Sequence, residues 1–350
     1  MLDDILRTAS ARPFNPFEEE LPGEFVVFGT GARGRRCRRR LESMGIRVPC
    51  FADNNPRRQG TNVDGLPVTA PAQIAVGAAV LICSFAHQAI FAQLFSMGFR
   101  NLYRDDLAER PPLRLLRENA GAIEQVLASL SDRDSRDTYA DVLRLRFHGT
   151  PLPRLSDYPM YGHPLVLARS GDCIVDGGAA SGDSIALFRS QAGPDCRIYA
   201  FEPTPASFQE MVQAVEKAGQ ANVHPVNMAL WNHDGQVGFF EAFAMSHGNR
   251  IGGEGGITVD ATTLDSFVER RGIDKVDLIK LDIEGAELAA LEGAQRTIRR
   301  FRPRLQICLY HKPCDLWELP LFVRELVPGY RCFVGHHSHE HLDTVLYCLA

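Results

Sequence analysis

The sequence predicts an α/β protein: a small Rossmann-like unit followed by a larger doubly wound parallel sheet. Two observations carry this reading. Short apolar runs alternate with helical stretches through most of the 350 residues, the pattern of stacked βα units. In each half, one such run opens on a turn that only small residues can make. These turns are Gly29-Thr30-Gly31-Ala32-Arg33-Gly34 after Phe25 to Phe28, and Asp176-Gly177-Gly178-Ala179-Ala180-Ser181-Gly182-Asp183 after Cys173 to Val175. Strand, tight turn and helix N-terminus together form the geometry in which α/β folds hold nucleotide-like ligands.

Composition bounds the classes. Apolar residues make up 45% and charged residues 23%, which suits a packed core. A net charge of −5 argues against a broad nucleic-acid footprint. No run approaches the roughly 20 apolar residues of a membrane span. The opening Met1 to Ala11 has acids at Asp3 and Asp4 and no apolar core, unlike a signal peptide. Nine cysteines without C-x-x-C spacing read as reduced thiols, hence a cytoplasmic protein without a disulfide frame or zinc site.

Residues 1–22 read as an N-terminal helix and connector, and 23–105 as the small Rossmann-like domain. After the Gly29 turn a helix runs through Leu41. A strand over Arg47 to Ala52 ends at Asp53, where a ribose-binding acid sits in a dinucleotide fold. A loop holding Gly60 and Asp64-Gly65 follows. Then come a strand at Ala79 to Cys83, a helix from His87 to Met97 and a strand near Asn101 to Tyr103. Two readings stay open for Gly29, Gly31, Gly34 and Asp53: a nucleotide or nucleotide-sugar site, or a docking module that binds nothing. The arginines Arg33, Arg35, Arg36, Arg38, Arg39 and Arg40 read either as phosphate ligands or as a solvated helix face. Residues 106–150 read as a helical linker, with a helix stop and a new N-cap at Ser131 to Ser135.

In residues 151–350, strands are predicted at Ile174 to Asp176, Arg197 to Phe201, Val223 to Val226, Val276 to Lys280 and Leu305 to Leu309. Val237 to Phe240 reads as an edge strand, Ala242 to Gly256 as a loop over a pocket, and Leu288 to Arg300 as a helix. Tyr330 to Val334 and Thr344 to Leu349 read as a closing hairpin. Glu202, at the end of the second strand, can accept hydrogen bonds from both ribose hydroxyls of a nucleoside. Asp282 and His311 end neighbouring strands and can converge on one point. His336, His337, His339 and His341 form a cluster read as either a polar hairpin loop or metal ligands.

Five motifs now stand in order: Asp176-Gly177-Gly178-Ala179 with Gly182-Asp183, Glu202-Pro203, Thr263-Leu264-Asp265, Lys280-Leu281-Asp282-Ile283-Glu284-Gly285-Ala286-Glu287, and the Tyr310-His311 tail. Together they resemble the FkbM family of S-adenosylmethionine-dependent methyltransferases, over about residues 150–350. The turn departs from the family at Gly178-Ala179-Ala180-Ser181, where a Gly-Ala-Asn type is more common. The small N-terminal unit resembles domains found on bacterial sugar-modifying enzymes. The resemblance implies a class I methyltransferase-like sheet and S-adenosylmethionine as cofactor, with a divalent cation such as Mg left open. It implies cofactor contacts from Asp176, Gly177, Gly178, Ala179, Ser181, Asp183, Glu202, Asn227, Ala229, Leu230 and Asp282. It places Lys280, Asp282 and Glu284 at the mouth of the pocket.

Methyl transfer to a hydroxyl needs alignment and proton removal. His311 is expected as general base, because imidazole titrates in the useful range. Asp282 is expected to orient it, face the sulfonium or bind a cation, with Lys280 as a further catalytic candidate. The acceptor is expected to be a sugar or glycan hydroxyl, with a polyketide or other natural-product hydroxyl as the alternative. A non-catalytic nucleotide-sugar-binding protein and an oxidoreductase run by the first glycine turn are the readings from other classes. The second is weak, because the first unit is short for a full dinucleotide fold.

Overall fold

The structure, a computed structural model, describes residues 12–13, 21–84, 86–105, 111, 113–148, 155–240, 250–251, 257–338 and 341–350. The chain divides into two compact units, Met1–Arg110 and Pro111–Ala350.

The first unit is a seven-stranded sheet with the order β1-β7-β6-β2-β3-β5-β4. Its strands are β1 (Arg12–Pro13), β2 (Val26–Phe28), β3 (Phe51–Ala52), β4 (Asn62–Val63), β5 (Leu66–Thr69), β6 (Val80–Ile82) and β7 (Leu102–Arg104). Helices α1 (Ala32–Ser43) and α2 (His87–Ser96) follow β2 and β6. Alternate β2 residues feed separate cores: Val27 packs with Cys37 and Leu41, while Val26 and Phe28 pack with Ile90 and Leu94. Two expectations change. Arg12–Pro13, read within a helix and connector, pairs as a parallel strand with β7. The Asp64-Gly65 loop is a hairpin turn between antiparallel β4 and β5, both residues having positive φ (50° and 82°). Asp-Gly is the dipeptide such turns favour.

The second unit begins with α3 (Leu113–Glu118), α4 (Ala120–Ser129) and α5 (Arg133–His148). The main sheet holds β8 (Cys173–Gly177), β9 (Arg197–Phe201) and β10 (Val223–Val226), with α6 (Asp183–Ala192) and α7 (Pro205–Lys217) between them. A smaller sheet follows, made of β11 (Ala229–Leu230), β12 (Gly235–Phe240), β13 (Arg250–Ile251) and β14 (Ile257–Thr262), in the order β11-β14-β12-β13. Then come α8 (Leu264–Arg270), β15 (Leu278–Leu281), α9 (Glu287–Glu292), α10 (Gln295–Phe301), β16 (Arg304–Cys308), α11 (Asp315–Leu326), β17 (Arg331–His336) and β18 (Thr344–Leu349). The main sheet runs β10-β9-β8-β15-β16-β18-β17, with β18 antiparallel to both neighbours.

β8, β15 and β16 are buried along their whole length, as parallel strands covered on both faces must be. Their alternating side chains supply two cores. Val175, Ile279 and Ile307 face one, closed by Ile123, Val126, Tyr139 and Val142 of α4 and α5. Residues 113–148, read from the sequence as a linker, therefore form the cover of one sheet face. Ile174, Leu278 and Cys308 face the other core, closed by Tyr161, Val166 and Phe188.

Two further expectations are corrected. Val237 to Phe240 is an inner strand of the small sheet, not an edge. The Leu288 to Arg300 helix breaks after Glu292 at Gly293, where a Cβ would lie 2.0 Å from the Trp231 carbonyl. The expected loop over Ala242 to Gly256 lies outside the described residues except for Arg250–Ile251.

The chain leaves β8 in one direction towards β9 and β10, then returns beside β8 as β15. This is the switch point at which open α/β sheets form a crevice. Gly178 makes that junction tight: its φ is +75°, and a Cβ would stand 1.9 Å from the Asp282 carbonyl. Gly178→Ala should cost about 2–4 kcal/mol from left-handed strain plus overpacking. Urea unfolding checks this, and an unchanged midpoint would contradict the close approach.

Candidate active site

At the switch point lies a cavity of about 440 Å³. Its walls include Met160, Gly178, Ala180, Phe201, Glu202, Met228, Ala229, Leu230, Asp282, Ile283, Glu284, Tyr310, Leu342 and Asp343. Among the described residues, every ionisable carboxyl or amine on this wall is an acid: Glu202, Asp282, Glu284 and Asp343. Three wall residues that are not glycine, Ala180, Glu284 and Asp343, have φ of 46°, 58° and 62°. Such backbone strain concentrates where a site over-determines its geometry.

Lys280 shapes the floor. Its ammonium is 3.1 Å from Asp176 Oδ1 and donates to the carbonyls of Gly177 (3.0 Å) and Gly178 (2.7 Å). Asp176 Oδ2 accepts from the Ser184 hydroxyl at 2.5 Å. Both charged groups are almost wholly buried. Burial lowers the lysine's proton affinity, but Asp176, Asp282 and Cys308 outweigh it and the pKa is raised. Lys280, expected as a catalytic candidate, places its donors on the turn beneath the cavity and does not line the cavity itself.

Glu202 reaches the wall from the end of β9. Its Oε1 accepts from the Thr204 amide (2.8 Å) and its Oε2 from the Ala180 amide (3.1 Å). Burial raises its pKa, partly offset by those donors. Asn227 turns away, donating to the carbonyls of Glu202 (2.8 Å) and Pro203 (3.1 Å), while its neighbour Met228 lines the cavity. Asp183 is exposed and Ala179 is packed in the core. Gly177, Ala179, Ser181 and Asp183 support the turn without lining the cavity, whereas Gly178, Glu202, Ala229, Leu230 and Asp282 line it.

Asp282 carries a phenol on each oxygen, from Tyr310 to Oδ1 (2.7 Å) and from Tyr161 to Oδ2 (2.8 Å). Burial alone would raise its pKa. Lys280, His311 and the two phenols reverse this and hold the carboxyl below its usual range. His311 has three carboxylates around it. Nδ1 lies 2.9 Å from Glu287 Oε1, a charge contact without hydrogen-bond alignment. Nε2 lies 3.5 Å from Asp282 and 3.6 Å from Glu284. Burial lowers its proton affinity, yet Glu287, Asp282 and Glu284 push the pKa up to about 9. The three acids thus favour the protonated His311 imidazole, the form that does not accept a proton, at the position expected to act as base. Its neighbour Asp315, on α11, is pushed up to about 7, chiefly by burial and then by Glu287.

The histidine cluster divides. His336 Nδ1 is 2.7 Å from the Thr344 hydroxyl, and His337 bridges Tyr158 and Tyr347. Both are hydrogen-bonded parts of the hairpin, while His339 lies outside the described residues. Among the described residues, donors grouped closely enough for a single metal ion are Cys37, Cys83 and Asp105 of the first unit. Asp105 is already paired with Arg33 at 3.0 Å. In the first unit, Asp53 is engaged by its own chain. Asp53 accepts from the Thr30 amide (3.3 Å) and hydroxyl (2.5 Å) and from the Asn55 amide (2.9 Å). Gly34 is required because a Cβ would meet the Gly29 carbonyl at 1.8 Å.

Residues 176–337 match the family profile described as the methyltransferase FkbM domain. The second unit carries an FkbM methyltransferase domain. The chain is similar over its whole length to the crystal structure of a methyltransferase FkbM from Methylobacillus flagellatus, with a TM-score of 0.69 at 19% identity, covering 99% of this chain and 92% of that one. Hexuronic acid methyltransferase AglP of Haloferax volcanii is 26% identical over 133 residues, 38% of this chain and 54% of AglP. The chain thus spans about half the length of that relative. The 2-O-methyltransferase NoeI of Sinorhizobium fredii is 24% identical over 186 residues, 47% of this chain and 74% of NoeI. The cavity lies inside the FkbM domain apart from Met160, Leu342 and Asp343. No described helix is long and apolar enough to cross a membrane.

Two outcomes follow for stability. Lys280→Met should cost about 3–5 kcal/mol, because it leaves Asp176 buried without its cation; chemical denaturation reads this, and a neutral effect would contradict the pairing. His311 has a folded-state pKa above the unfolded value of about 6.5. Its contribution is thus complete below that pH and is lost as pH rises through about 9. Asp315 acts with the same sign at lower pH, its share being lost by about 7. Melting temperature should therefore fall between pH 7 and 9 and fall less in His311→Gln.

Proposed function

We propose that the chain transfers a methyl group from S-adenosylmethionine to a hydroxyl of a sugar or glycan precursor. The observation that carries this is the cavity at the switch point, inside the span that matches the FkbM domain, whose charged groups among the described residues are all acids set among apolar walls. A donor with a sulfonium and an ammonium suits those walls. Glu202, with lone pairs left beyond its two backbone donors, would take the ribose hydroxyls, and Met228, Ala229 and Leu230 would border the base. The sugar acceptor is supported by the relatives' names, one acting on a hexuronic acid and one a 2-O-methyltransferase.

When bound, the cofactor supplies an electrophilic methyl. The chain must then align the acceptor oxygen and remove its proton. Asp282 is our choice for that proton: it faces the cavity, is held ionised, and is hydrogen-bonded on both oxygens. A sugar hydroxyl is a poor acid, so its proton leaves late, as charge flows to the methyl, and a carboxylate suffices. His311 would hold Asp282 from behind as a cation.

The test is methyl transfer to a panel of sugar acceptors. Glu202→Gln should raise KM for S-adenosylmethionine about tenfold with little change in kcat. Asp282→Asn should lower kcat at least about a hundredfold. Above pH of about 9 the wild-type rate should fall as His311 loses its proton. A rate that instead climbs to a plateau at that pH would return the base role to His311, and full turnover by Asp282→Asn would remove Asp282.

A further inference from the structure

Of the two phenols on Asp282, Tyr310 follows β16 beside His311, but Tyr161 arrives from 121 residues away in sequence. It precedes the matched FkbM span. Its placement is heavily specified. The Tyr161 backbone is left-handed, φ 60°, a conformation aromatic residues rarely adopt. Its amide donates to Tyr347 Oη at 3.0 Å, and its carbonyl accepts from Gln191 (3.1 Å) and Gln306 (3.2 Å).

Behind these contacts is a second layer. His337 Nδ1 is 3.1 Å from the Tyr158 carbonyl, which can only accept, so that nitrogen carries the proton. His337 Nε2, 2.9 Å from Tyr347 Oη, is then the acceptor of the tyrosine's own proton. A pKa lowered to about 4, chiefly by burial, keeps this histidine neutral. Gln306 and Tyr347 are wholly buried polar residues in the apolar strands β16 and β18. Three side chains, from α6, β16 and β18, thus converge on one strained backbone unit. What that unit delivers to the site is the hydroxyl on Asp282 Oδ2.

We propose that Tyr161 is a positioning residue for methyl transfer: its phenol fixes the Asp282 carboxylate in one orientation, with lone pairs left for the acceptor hydroxyl. The inference rests on the reading of Asp282 as base. The groups around Asp282 are consistent with this division of labour. Tyr310 and His311 come from the end of β16, Lys280 and Cys308 from the strands below, and Glu284 stands beyond His311. The Lys280 ammonium lies over the Tyr161 ring, 5.6 Å from its centroid, and holds the glycine turn. Tyr161 alone reaches Oδ2 by a described hydrogen bond.

The experiment compares Tyr161→Phe with Asp282→Asn and wild type. Tyr161→Phe keeps the ring and its packing. Its KM for S-adenosylmethionine and its affinity for S-adenosylhomocysteine should stay within about twofold, while kcat falls about tenfold, the loss of one hydrogen bond to a charged group. The acid limb of its kcat profile should move up by about one pH unit, because the ionised carboxylate has lost a donor. Full turnover in Asp282→Asn would sink the base reading itself. Loss of turnover in Asp282→Asn with kcat and acid limb both unchanged in Tyr161→Phe would overturn the positioning role alone. If Tyr161→Phe does not fold, 3-fluorotyrosine at position 161 keeps the shape and strengthens the donor. The acid limb should then move down, and an unmoved limb overturns the inference.

Discussion

The site depends on one buried ammonium. Lys280 and Asp176 stand opposite each other on β15 and β8, the two strands between which the sheet changes direction. The same ammonium takes the carbonyls of Gly177 and Gly178. Gly178 holds its place in the turn with the left-handed backbone that glycine allows. With the turn so folded, the Ala180 amide reaches Glu202, and Gly178 packs against the Asp282 backbone. A buried ion pair is weak evidence for stability, since desolvation of two charges offsets most of their attraction. Its value here lies in specifying one conformation of a turn that glycine leaves otherwise unrestrained.

Around this floor, charge is arranged in alternating layers. Lys280 lies under the turn and acids line the cavity. The His311 cation sits among Asp282, Glu284 and Glu287 at its edge. The buried Lys280 and His311 cations each have carboxylate neighbours, which is what makes their burial tolerable. The strained residues Ala180, Glu284 and Asp343 belong to the same wall. Packing, charge and strain all converge on one crevice of the second unit, while in the first unit Asp53 accepts from Thr30 of the glycine turn.

Much of this was legible in the sequence, because strand ends carry local signals. The apolar runs into Asp176, Glu202 and Asp282 placed those acids at the carboxyl ends of adjacent strands, and the closing hairpin was read nearly to the residue. Other features depend on contacts that no local pattern encodes. Lys280 alternates with apolar neighbours like any inward-facing residue, and only strand pairing tells that it meets Asp176. The charge state of His311 is set by Glu287 and Glu284 as well as Asp282, and by position Glu287 is an acid in the first turn of a helix, where acids are common. Tyr161 sits in a proline-bearing segment with no periodicity. Asn227 and Met228 exchanged roles because one residue of register decides which side chain faces the cavity. The hairpin at Asp64-Gly65 is different: its signal was present in the sequence and was read only as a loop.

The central claim is that the acidic cavity of the second unit holds a methyl donor. Calorimetric titration of the intact chain with S-adenosylhomocysteine, and separately with NAD, tests it most directly. The account predicts saturable binding of S-adenosylhomocysteine at one site per chain and no heat from NAD. Binding of NAD alone, with no response to S-adenosylhomocysteine, would contradict it.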